Sequence, residues 1–248
     1  MPAPELNDYD RTRYDRQMRI RGFGEEGQRK LKGATAFVAG CGGLGSPIAT
    51  YLATAGVGRL VIADMDVVDL SNLNRQILHW DDNVGEDKVK SAYEKLVRIN
   101  PSITVEPFNG CIDGNNVLEL TKGCDVIMDA MDNFETRYLL NRASLYHQIP
   151  MIYGSIWGLE GRVTTLVPGR TPCLECIFPK APPKETFPVL GTTPGVIGTI
   201  QATEAIKVLL GIGSTLENRL LVYDGEYMEF HELKIAPNPE CPACRVKQ

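Results

Sequence analysis

The chain has 248 residues, of which 43% are hydrophobic and 23% charged, and its net charge at pH 7 is −5. This length suits one large α/β domain, and the acidic balance argues against a nucleic-acid or anionic-membrane partner. The sequence has no apolar run of roughly 18 residues, the least that a membrane span needs, and its N-terminal residues are polar. We therefore expect a cytoplasmic protein.

The N-terminal segment, residues 1–32, predicts two helices on either side of Gly22. The first, over residues 9–21, contains five arginines, among them Arg16. Such arginines usually face solvent. Contact between one of them and a ligand phosphate is the alternative, because a candidate phosphate-binding loop follows.

The next unit has the order strand, glycine turn, helix, strand and acid. Its glycines Gly40, Gly42 and Gly45 fit G-x-G-x-x-G, and the second strand ends at Asp64 and Asp66. Glycines let the backbone approach a phosphate closely, the helix start offers free N–H groups, and the acid can accept hydrogen bonds from ribose hydroxyls. A glycine turn without a ligand would not need all these features in order. NAD, FAD and ATP all fit the motif.

A loop is predicted over residues 69–76, past the carboxyl end of the second strand, where doubly wound sheets bind ligands. It contains Asn72, Arg75 and Gln76. The helix that follows has Lys88 in its first turn, where a cation is unfavourable for the helix dipole. This cost favours a role for Lys88 in binding an anion, and an ordinary surface lysine is the alternative.

A later apolar strand runs into Asp129, Asp132 and Asn133. A carboxylate at the ligand crevice, beside a bound triphosphate, is a natural magnesium ligand. Alternatively, Asp132 caps the next helix, which is predicted over residues 134–147. A short helix is predicted over residues 113–121, and the nucleotide-binding core is expected to extend over residues 33–167.

The seven cysteines include two C-x-x-C pairs. The pairs are Cys173 with Cys176 and Cys241 with Cys244. In a cytosolic chain such pairs favour a tetrahedral structural zinc site, and redox disulfides or metal-free cysteines are the alternatives. Zinc would join a mid-chain loop to the C-terminal end. Cys111 and Cys124 are expected to be buried apolar fillers.

A Pro-rich crossover loop is predicted over residues 168–194, and it could act as a lid. Two strands precede it, the second a candidate antiparallel strand, and residues 195–248 predict a helix, a hairpin around Asp224-Gly225 and the zinc-binding end. The fold class is therefore α/β: Rossmann-like and doubly wound, with a mostly parallel sheet, an antiparallel C-terminal extension and a structural zinc site. One domain is expected over residues 1–248.

The combination of charges distinguishes between the nucleotides. Arg75, Lys88 and an N-terminal arginine are expected near the glycine loop, together with Asp132. A nicotinamide enzyme does not need three cations and a metal carboxylate, whereas ATP with Mg²⁺ does. The predicted ligands are therefore ATP and Mg²⁺. A NAD- or FAD-dependent oxidoreductase is the less favoured alternative, since the glycine motif alone supports it.

Taken together, the motifs resemble the MoeB/ThiF family of sulfur-carrier adenylyltransferases, relatives of the ubiquitin-activating enzymes. The resemblance rests on GCGGLGSPIATYLATAGVGRLVIADMD, DLSNLNRQ, VGEDKV, MDAMDN and the cysteine pairs, from about residue 13 to residue 244. It implies adenylation of the C-terminal glycine of a small ubiquitin-like carrier of MoaD or ThiS type, which ends in Gly-Gly, with release of pyrophosphate. Adenylation of a small-molecule or peptide carboxylate is an alternative. A non-catalytic partner subunit is disfavoured because the charged site residues are all present.

The resemblance also implies a role for each site residue. It places the loop glycines at the ATP phosphates, Asp64 at the ribose, Asp132 on magnesium, and Arg16 in the active site of the opposite subunit of a homodimer. The implied catalytic residues are Arg16, Arg75, Lys88 and Asp132. The implied nucleotide-binding residues are Gly40, Gly42, Gly43, Gly45, Asp64, Asp66, Ser71, Asn72, Arg75, Gln76, Lys88, Asp132 and Asn133.

One feature departs from the family pattern. Members that form a covalent sulfur or thioester intermediate carry a cysteine after the first cysteine pair, and residues 177–195 contain none. The resemblance therefore implies release of the adenylate to a separate sulfur donor protein.

Overall fold

The computed structural model describes residues 4–182 and 188–244. Its strands are β1 (Thr35–Ala39), β2 (Arg59–Asp64), β3 (Thr104–Asn109), β4 (Val126–Asp129), β5 (Met151–Trp157), β6 (Glu160–Leu166), β7 (Arg219–Asp224) and β8 (Glu229–Lys234). Its α-helices are α1 (Asp8–Arg13), α2 (Asp15–Met18), α3 (Gly24–Gly33), α4 (Gly45–Ala55), α5 (Lys88–Ile99), α6 (Val117–Leu120), α7 (Phe134–His147), α8 (Leu174–Ile177) and α9 (Thr192–Leu210). Short 3-10 helices lie at Leu70–Asn72 and Asp81–Asn83.

The described strands form one mixed sheet of eight in the order β3-β2-β1-β4-β5-β6-β7-β8. The pairs from β3 to β5 are parallel, and those from β5 to β8 are antiparallel. The predicted α/β class and its antiparallel C-terminal extension are confirmed. Residues 183–187 of the predicted Pro-rich loop lie outside the described residues, so the lid stays a prediction.

Helices cover both faces of the sheet, and β1 shows why. All five residues of β1 are buried, and successive side chains of a strand point to opposite faces. Ala36 and Val38 belong to the core beneath α4, α5 and α9, while Phe37 and Ala39 belong to the core beneath α7. A strand buried on both faces has only its ends available for a ligand, which places the site at the carboxyl edge.

The prediction of one helix over residues 9–21 is wrong. The chain forms α1 and α2, with the break at Tyr14, whose ring is buried. The Tyr14 hydroxyl accepts a hydrogen bond from Asn100 Nδ2 at 2.7 Å and lies 3.2 Å from Ser102 Oγ. These contacts with a distant part of the chain hold Tyr14 out of the regular helix.

Two smaller expectations are also corrected. The helix predicted from Asp113 begins only at Val117, because the Asp113 carboxylate accepts hydrogen bonds from the N–H groups of Asn115 and Asn116 and forms a turn instead. Cys111 is exposed, since it follows the end of the outer strand β3, whereas Cys124 is buried as expected.

The long helix α9 begins at Thr192, three residues earlier than predicted. Its N-terminal neighbour, Gly191, packs against the loop after β2: a Cβ there would lie 2.1 Å from the carbonyl oxygen of Asn74. Within the described residues, no helix, α9 included, is both long enough and apolar enough to cross a bilayer.

The turn from β1 into α4 depends on two glycines. Gly40 has φ +97°, in the left-handed region that favours glycine. A Cβ on Gly45 would lie 1.9 Å from the carbonyl oxygen of Gly40. The helix therefore begins in backbone contact with the end of the strand.

Replacement of Gly45 by alanine should force this contact apart. We expect Gly45→Ala to lower the free energy of unfolding by about 3 kcal/mol or more, measured by urea denaturation. Gly195→Ala is the matched control: apart from its chain neighbours and the backbone of its own helix, a Cβ at this α9 position meets no described atom within 4 Å. Alanine there should stabilise the helix by about 0.5–1 kcal/mol. Equal stability of the two variants would contradict the proposed backbone contact.

Candidate functional site

The glycine loop lies between the carboxyl ends of β2 and β4. Ala39, the last residue of β1, pairs with Ala63 on one side and with Asp129 on the other. Gly40 N–H donates to the Ala63 carbonyl at 2.8 Å, and Ala130 N–H donates to the Ala39 carbonyl at 3.0 Å. The residues after β2 and after β4 are thereby brought to the same crevice, as the sequence predicts.

Asp64 is fixed by two backbone hydrogen bonds. Its Oδ2 accepts from Cys41 N–H at 2.7 Å, and its Oδ1 accepts from Asp66 N–H at 2.9 Å. Burial raises the pKa of Asp64 above its ordinary value. Each carboxylate oxygen has further acceptor capacity, so Asp64 can also accept a hydrogen bond from a ligand hydroxyl.

The loop after β2 is held by its own polar groups. Asp69 Oδ1 accepts from Ser71 N–H at 2.8 Å, and Asn72 Oδ1 accepts from Asp69 N–H at 3.3 Å. The Arg75 guanidinium donates to the Ser71 carbonyl and to Asn74 Oδ1, both at 2.9 Å. These contacts orient Arg75 by neighbours within the same loop.

This loop packs directly against the glycine loop. A Cβ on Gly42 would lie 3.5 Å from Gln76 Nε2, and one on Gly43 would lie 3.7 Å from Arg75 Cγ and 3.3 Å from Pro194 Cβ. Gln76 is buried, and its Oε1 has no hydrogen-bond partner among residues 4–182 and 188–244. The structure thus brings together predicted residues from two motifs, and adds Pro194, which the sequence did not single out.

Lys88 is not an ordinary surface lysine. It is the first residue of α5, with a side chain only 8% exposed, and its Nζ lies 2.9 Å from Oδ2 of Asp66, which is 57% exposed. Lys88 N–H also donates to the Asp66 carbonyl at 2.9 Å. An ammonium group buried beside an exposed carboxylate is positioned to attract an anion at the crevice.

Asp132 does not cap α7. The cap is Asn133, whose Oδ1 accepts from Thr136 N–H at 2.9 Å. Asp132 is exposed, and its carboxylate meets only Asn133 Nδ2, at 3.4 Å, within the described residues. Among the described residues, the Asp132 carboxylate neither caps a helix nor pairs with a cation. A divalent metal ion could therefore bind it.

Asp129, the other acid at the end of β4, is buried and paired with an arginine, unlike the exposed Asp132. It is fully buried, and its Oδ2 lies 3.4 Å from Arg137 Nε. Burial raises the pKa of Asp129 to about 6. Its Oδ1 accepts from Met131 N–H at 3.0 Å, and Arg137 donates to the Met131 carbonyl at 2.5 Å. This buried pair holds the backbone that leads to Asp132.

Arg16 is not near the glycine loop of its own chain. It is exposed on α2, and its neighbour Gln17 donates to the Ala55 carbonyl at 2.8 Å, at the C-terminal end of α4. The glycine loop lies at the N-terminal end of α4, and an 11-residue helix is about 16 Å long. One chain alone therefore does not assemble all of the predicted site residues.

The two C-x-x-C pairs meet in space. Three of the Sγ–Sγ distances are 3.4 Å for Cys176 and Cys244, 3.6 Å for Cys173 and Cys241, and 3.8 Å for Cys173 and Cys176, and all four Sγ atoms lie within 4.8 Å of one another. A tetrahedral Zn²⁺ with Zn–S bonds of about 2.3 Å separates its sulfur ligands by about 3.8 Å, whereas a disulfide bond is about 2.05 Å long. The four sulfur atoms fit zinc and are not paired as disulfides.

His79 is a site component that the sequence analysis missed. It is 3% exposed, its Nε2 lies 2.9 Å from the Cys41 carbonyl oxygen, and its Nδ1 lies 2.9 Å from Ser91 Oγ. Burial lowers the pKa of His79 to about 4. A lone histidine after an apolar pair has no spacing signal, so only the folded structure reveals its contact with the glycine loop.

Comparisons with known proteins show which family and which fold the chain resembles. The ThiF family model matches residues 14–243. A SAMP-activating enzyme E1 of Haloferax volcanii is 47% identical, over 94% of this chain and 88% of its own length. A sulfur carrier protein adenylyltransferase of Thermus thermophilus is 42% identical, over 94% of this chain and 90% of its own length. E. coli MccB, solved with MccA-N7isoASN, shares the fold, with a TM-score of 0.84 at 22% identity over 98% of this chain and 76% of MccB.

Elemental analysis tests the cysteine cluster. We expect about one zinc per chain in purified protein, and loss of that zinc in Cys176→Ser, because three thiolates and a hydroxyl bind zinc less well than four thiolates. Cys111→Ser is the matched control and should keep its zinc, since Cys111 is exposed and outside the cluster. Wild-type protein purified without chelators and found free of zinc would refute the tetrathiolate site.

Proposed function

Because the chain belongs to the ThiF family and is a nucleotidyltransferase like its relatives, we propose that it adenylates the C-terminal glycine of a small ubiquitin-like carrier protein. The packing of Arg75 and Gln76 against the glycine loop, next to buried Lys88, supports this proposal most directly. Two relatives, 47% and 42% identical, are named a SAMP-activating enzyme E1 and a sulfur carrier protein adenylyltransferase, and these names support the proposal.

ATP would lie along the carboxyl edge of β1 and β2. Asp64 accepts hydrogen bonds from the ribose hydroxyls, and the N–H groups of the glycine loop face the phosphates. Ser71, Asn72, Arg75 and Lys88 supply donors to the triphosphate from the other side of the crevice. Binding of the phosphates draws Lys88 from Asp66, the only partner of its Nζ among the described residues.

Asp132 would hold Mg²⁺ beside the triphosphate, with Asn133 next to the nucleotide. Its exposed carboxylate, free of capping, fits this role. When bound, Mg²⁺ offsets the negative charge of the phosphates. The Asp129–Arg137 pair beneath positions Asp132 through the backbone of Met131.

The chemistry needs no side-chain nucleophile. One oxygen of the carrier's terminal carboxylate attacks the α-phosphorus of ATP, the bond to the bridging oxygen breaks, and pyrophosphate leaves. The products are the acyl-adenylate and pyrophosphate. Sulfide-level sulfur from a separate donor protein would then attack the acyl carbon and displace AMP to form the thiocarboxylate. Arg75 and Lys88 stabilise the added negative charge as the two anions meet.

Arg16 would complete the active site of a second copy of the chain in a homodimer. Its exposure, and its place at the opposite end of α4 from its own glycine loop, support a role in trans. A closed two-fold dimer would then contain two such shared sites.

ATP–pyrophosphate exchange tests the reaction. With Mg²⁺ and a panel of Gly-Gly-ended carriers, we expect exchange with one carrier, and at least about a 100-fold loss in Asp132→Ala, because the variant lacks the carboxylate for the metal. Glu135→Gln is the matched control, since Glu135 is an exposed acid of the first turn of α7. Exchange without any carrier would instead indicate a small-molecule or peptide substrate, and full activity of Asp132→Ala would refute the metal site.

Mixed dimers test Arg16. Arg16→Ala and Asp132→Ala should each be inactive, yet dimers re-formed from an equal mixture should recover about a quarter of wild-type exchange, since half the dimers then have one intact site. Arg19→Ala, at an exposed arginine that pairs with Asp15, is the control and should stay active. No recovery, with subunit exchange verified by mass, would mean that Arg16 does not act in trans.

A further inference from the structure

We infer that His79 is a positioning residue for nucleotide binding: it orients the Cys41–Gly42 peptide group so that the Gly42 N–H faces the phosphates. This inference rests on the proposed ATP site. His79 itself is 3% exposed and lies behind the loop, so it acts through the backbone and does not touch the ligand.

Hydrogen bonds hold Cys41 on both sides of its α-carbon. Its N–H donates to Asp64 Oδ2 at 2.7 Å, and its carbonyl oxygen lies 2.9 Å from His79 Nε2. A second donor to this oxygen, Ser46 Oγ, lies at 3.4 Å, near the limit for a hydrogen bond. His79 therefore makes the principal contact with the Cys41 carbonyl.

The direction of the Cys41 carbonyl determines the direction of the next N–H. In a planar trans peptide the C=O and the following N–H point in opposite directions, and the described chain contains no cis peptide. Because His79 holds the Cys41 carbonyl toward the protein interior, Gly42 N–H points toward the crevice. The Gly42 carbonyl accepts from Ser46 N–H at 2.9 Å, which orients Gly43 N–H in the same way.

These N–H groups are available to a ligand. Within residues 4–182 and 188–244, no acceptor takes a hydrogen bond from the N–H of Gly42 or Gly43. Both glycines are partly exposed, whereas Cys41 and Leu44 on either side are buried. Unpaired N–H groups at the start of a helix are suited to an anion such as a phosphate.

A relay of hydrogen bonds defines the tautomer of His79. Lys95 Nζ, which can donate hydrogen bonds but not accept them, donates to Ser91 Oγ at 2.8 Å. The Ser91 hydroxyl then donates to His79 Nδ1, 2.9 Å away, and leaves the ring proton on Nε2, where it meets the Cys41 carbonyl. Lys95 is held in turn by Asn83 Oδ1 at 2.5 Å and by the Trp80 ring at 4.6 Å.

Two substitutions distinguish the effect of the N–H donor of His79 from the effect of its ring shape. His79→Phe keeps a ring but has no N–H, whereas His79→Gln can present an amide N–H at the position of Nε2. Calorimetry with ATP, without any carrier, should show about tenfold weaker binding for His79→Phe and at most about threefold weaker for His79→Gln. Adenosine, which has no phosphate, should bind both variants as it binds the wild type.

NMR gives a readout that does not depend on activity. The chain has three histidines, so a long-range ¹H–¹⁵N spectrum at pH 7 can be assigned by the His79→Gln spectrum. We expect His79 to be neutral with its proton on Nε2. Should His79→Phe fail to fold, Ser91→Ala replaces it: loss of the hydroxyl should mix the two tautomers and weaken ATP binding, but not adenosine binding.

The inference is overturned if His79 carries its proton on Nδ1, if His79→Phe binds ATP as tightly as wild type, or if ATP and adenosine binding weaken equally, as in a generally damaged site. Wild-type protein that binds no ATP would overturn both this inference and the proposed function. Wild-type protein that binds ATP with the expected variant pattern, yet catalyses no exchange with any carrier, would refute the proposed function alone.

Discussion

The contact between Gly45 and the carbonyl of Gly40 is the constraint on which the candidate site depends. It lets α4 begin directly behind β1, so that the backbone between them is a tight turn with unpaired N–H groups on its outer side. Asp64 and His79 hold Cys41 inside this turn, and Gln76 and Pro194 pack on its open side. A side chain at position 45 would push α4 away from Gly40, and we expect it to displace the contacts of all four of these residues with the turn.

The charged groups at the crevice are oriented before any ligand arrives. Arg75 is held by acceptors of its own loop, and Lys88 is buried against Asp66. Such prior ordering reduces the entropy lost when a ligand binds. Arg75 and Lys88 can therefore both lie at the crevice when no anion is bound, because each cation has a polar partner of its own. The site can thus favour a polyphosphate without distorting the fold when the polyphosphate is absent.

Local patterns predicted most of the fold, and long-range contacts account for the break in the first helix and for the missed histidine. The β1–α4–β2 unit and α7 follow from periodicity and glycine spacing, which are properties of neighbouring residues. The break at Tyr14 depends on Asn100, and the role of His79 depends on Cys41 and Ser91, so neither has a local signal. The sequence left open whether Asp132 caps α7, and the backbone geometry at Asn133 decides it. The cysteine pairs were predictable despite their separation, because their chemistry needs four sulfur atoms together.

The cysteine cluster joins two short segments that enclose α9 and the last two strands. A bound metal would therefore close a ring of roughly 70 residues, and ring closure restricts the unfolded chain as well as the folded one. Pro194, which touches the glycine loop, lies inside that ring. Since metal binding to the folded chain would add to the folding free energy by mass action, the stability of the candidate crevice would then depend on the metal supply around the protein.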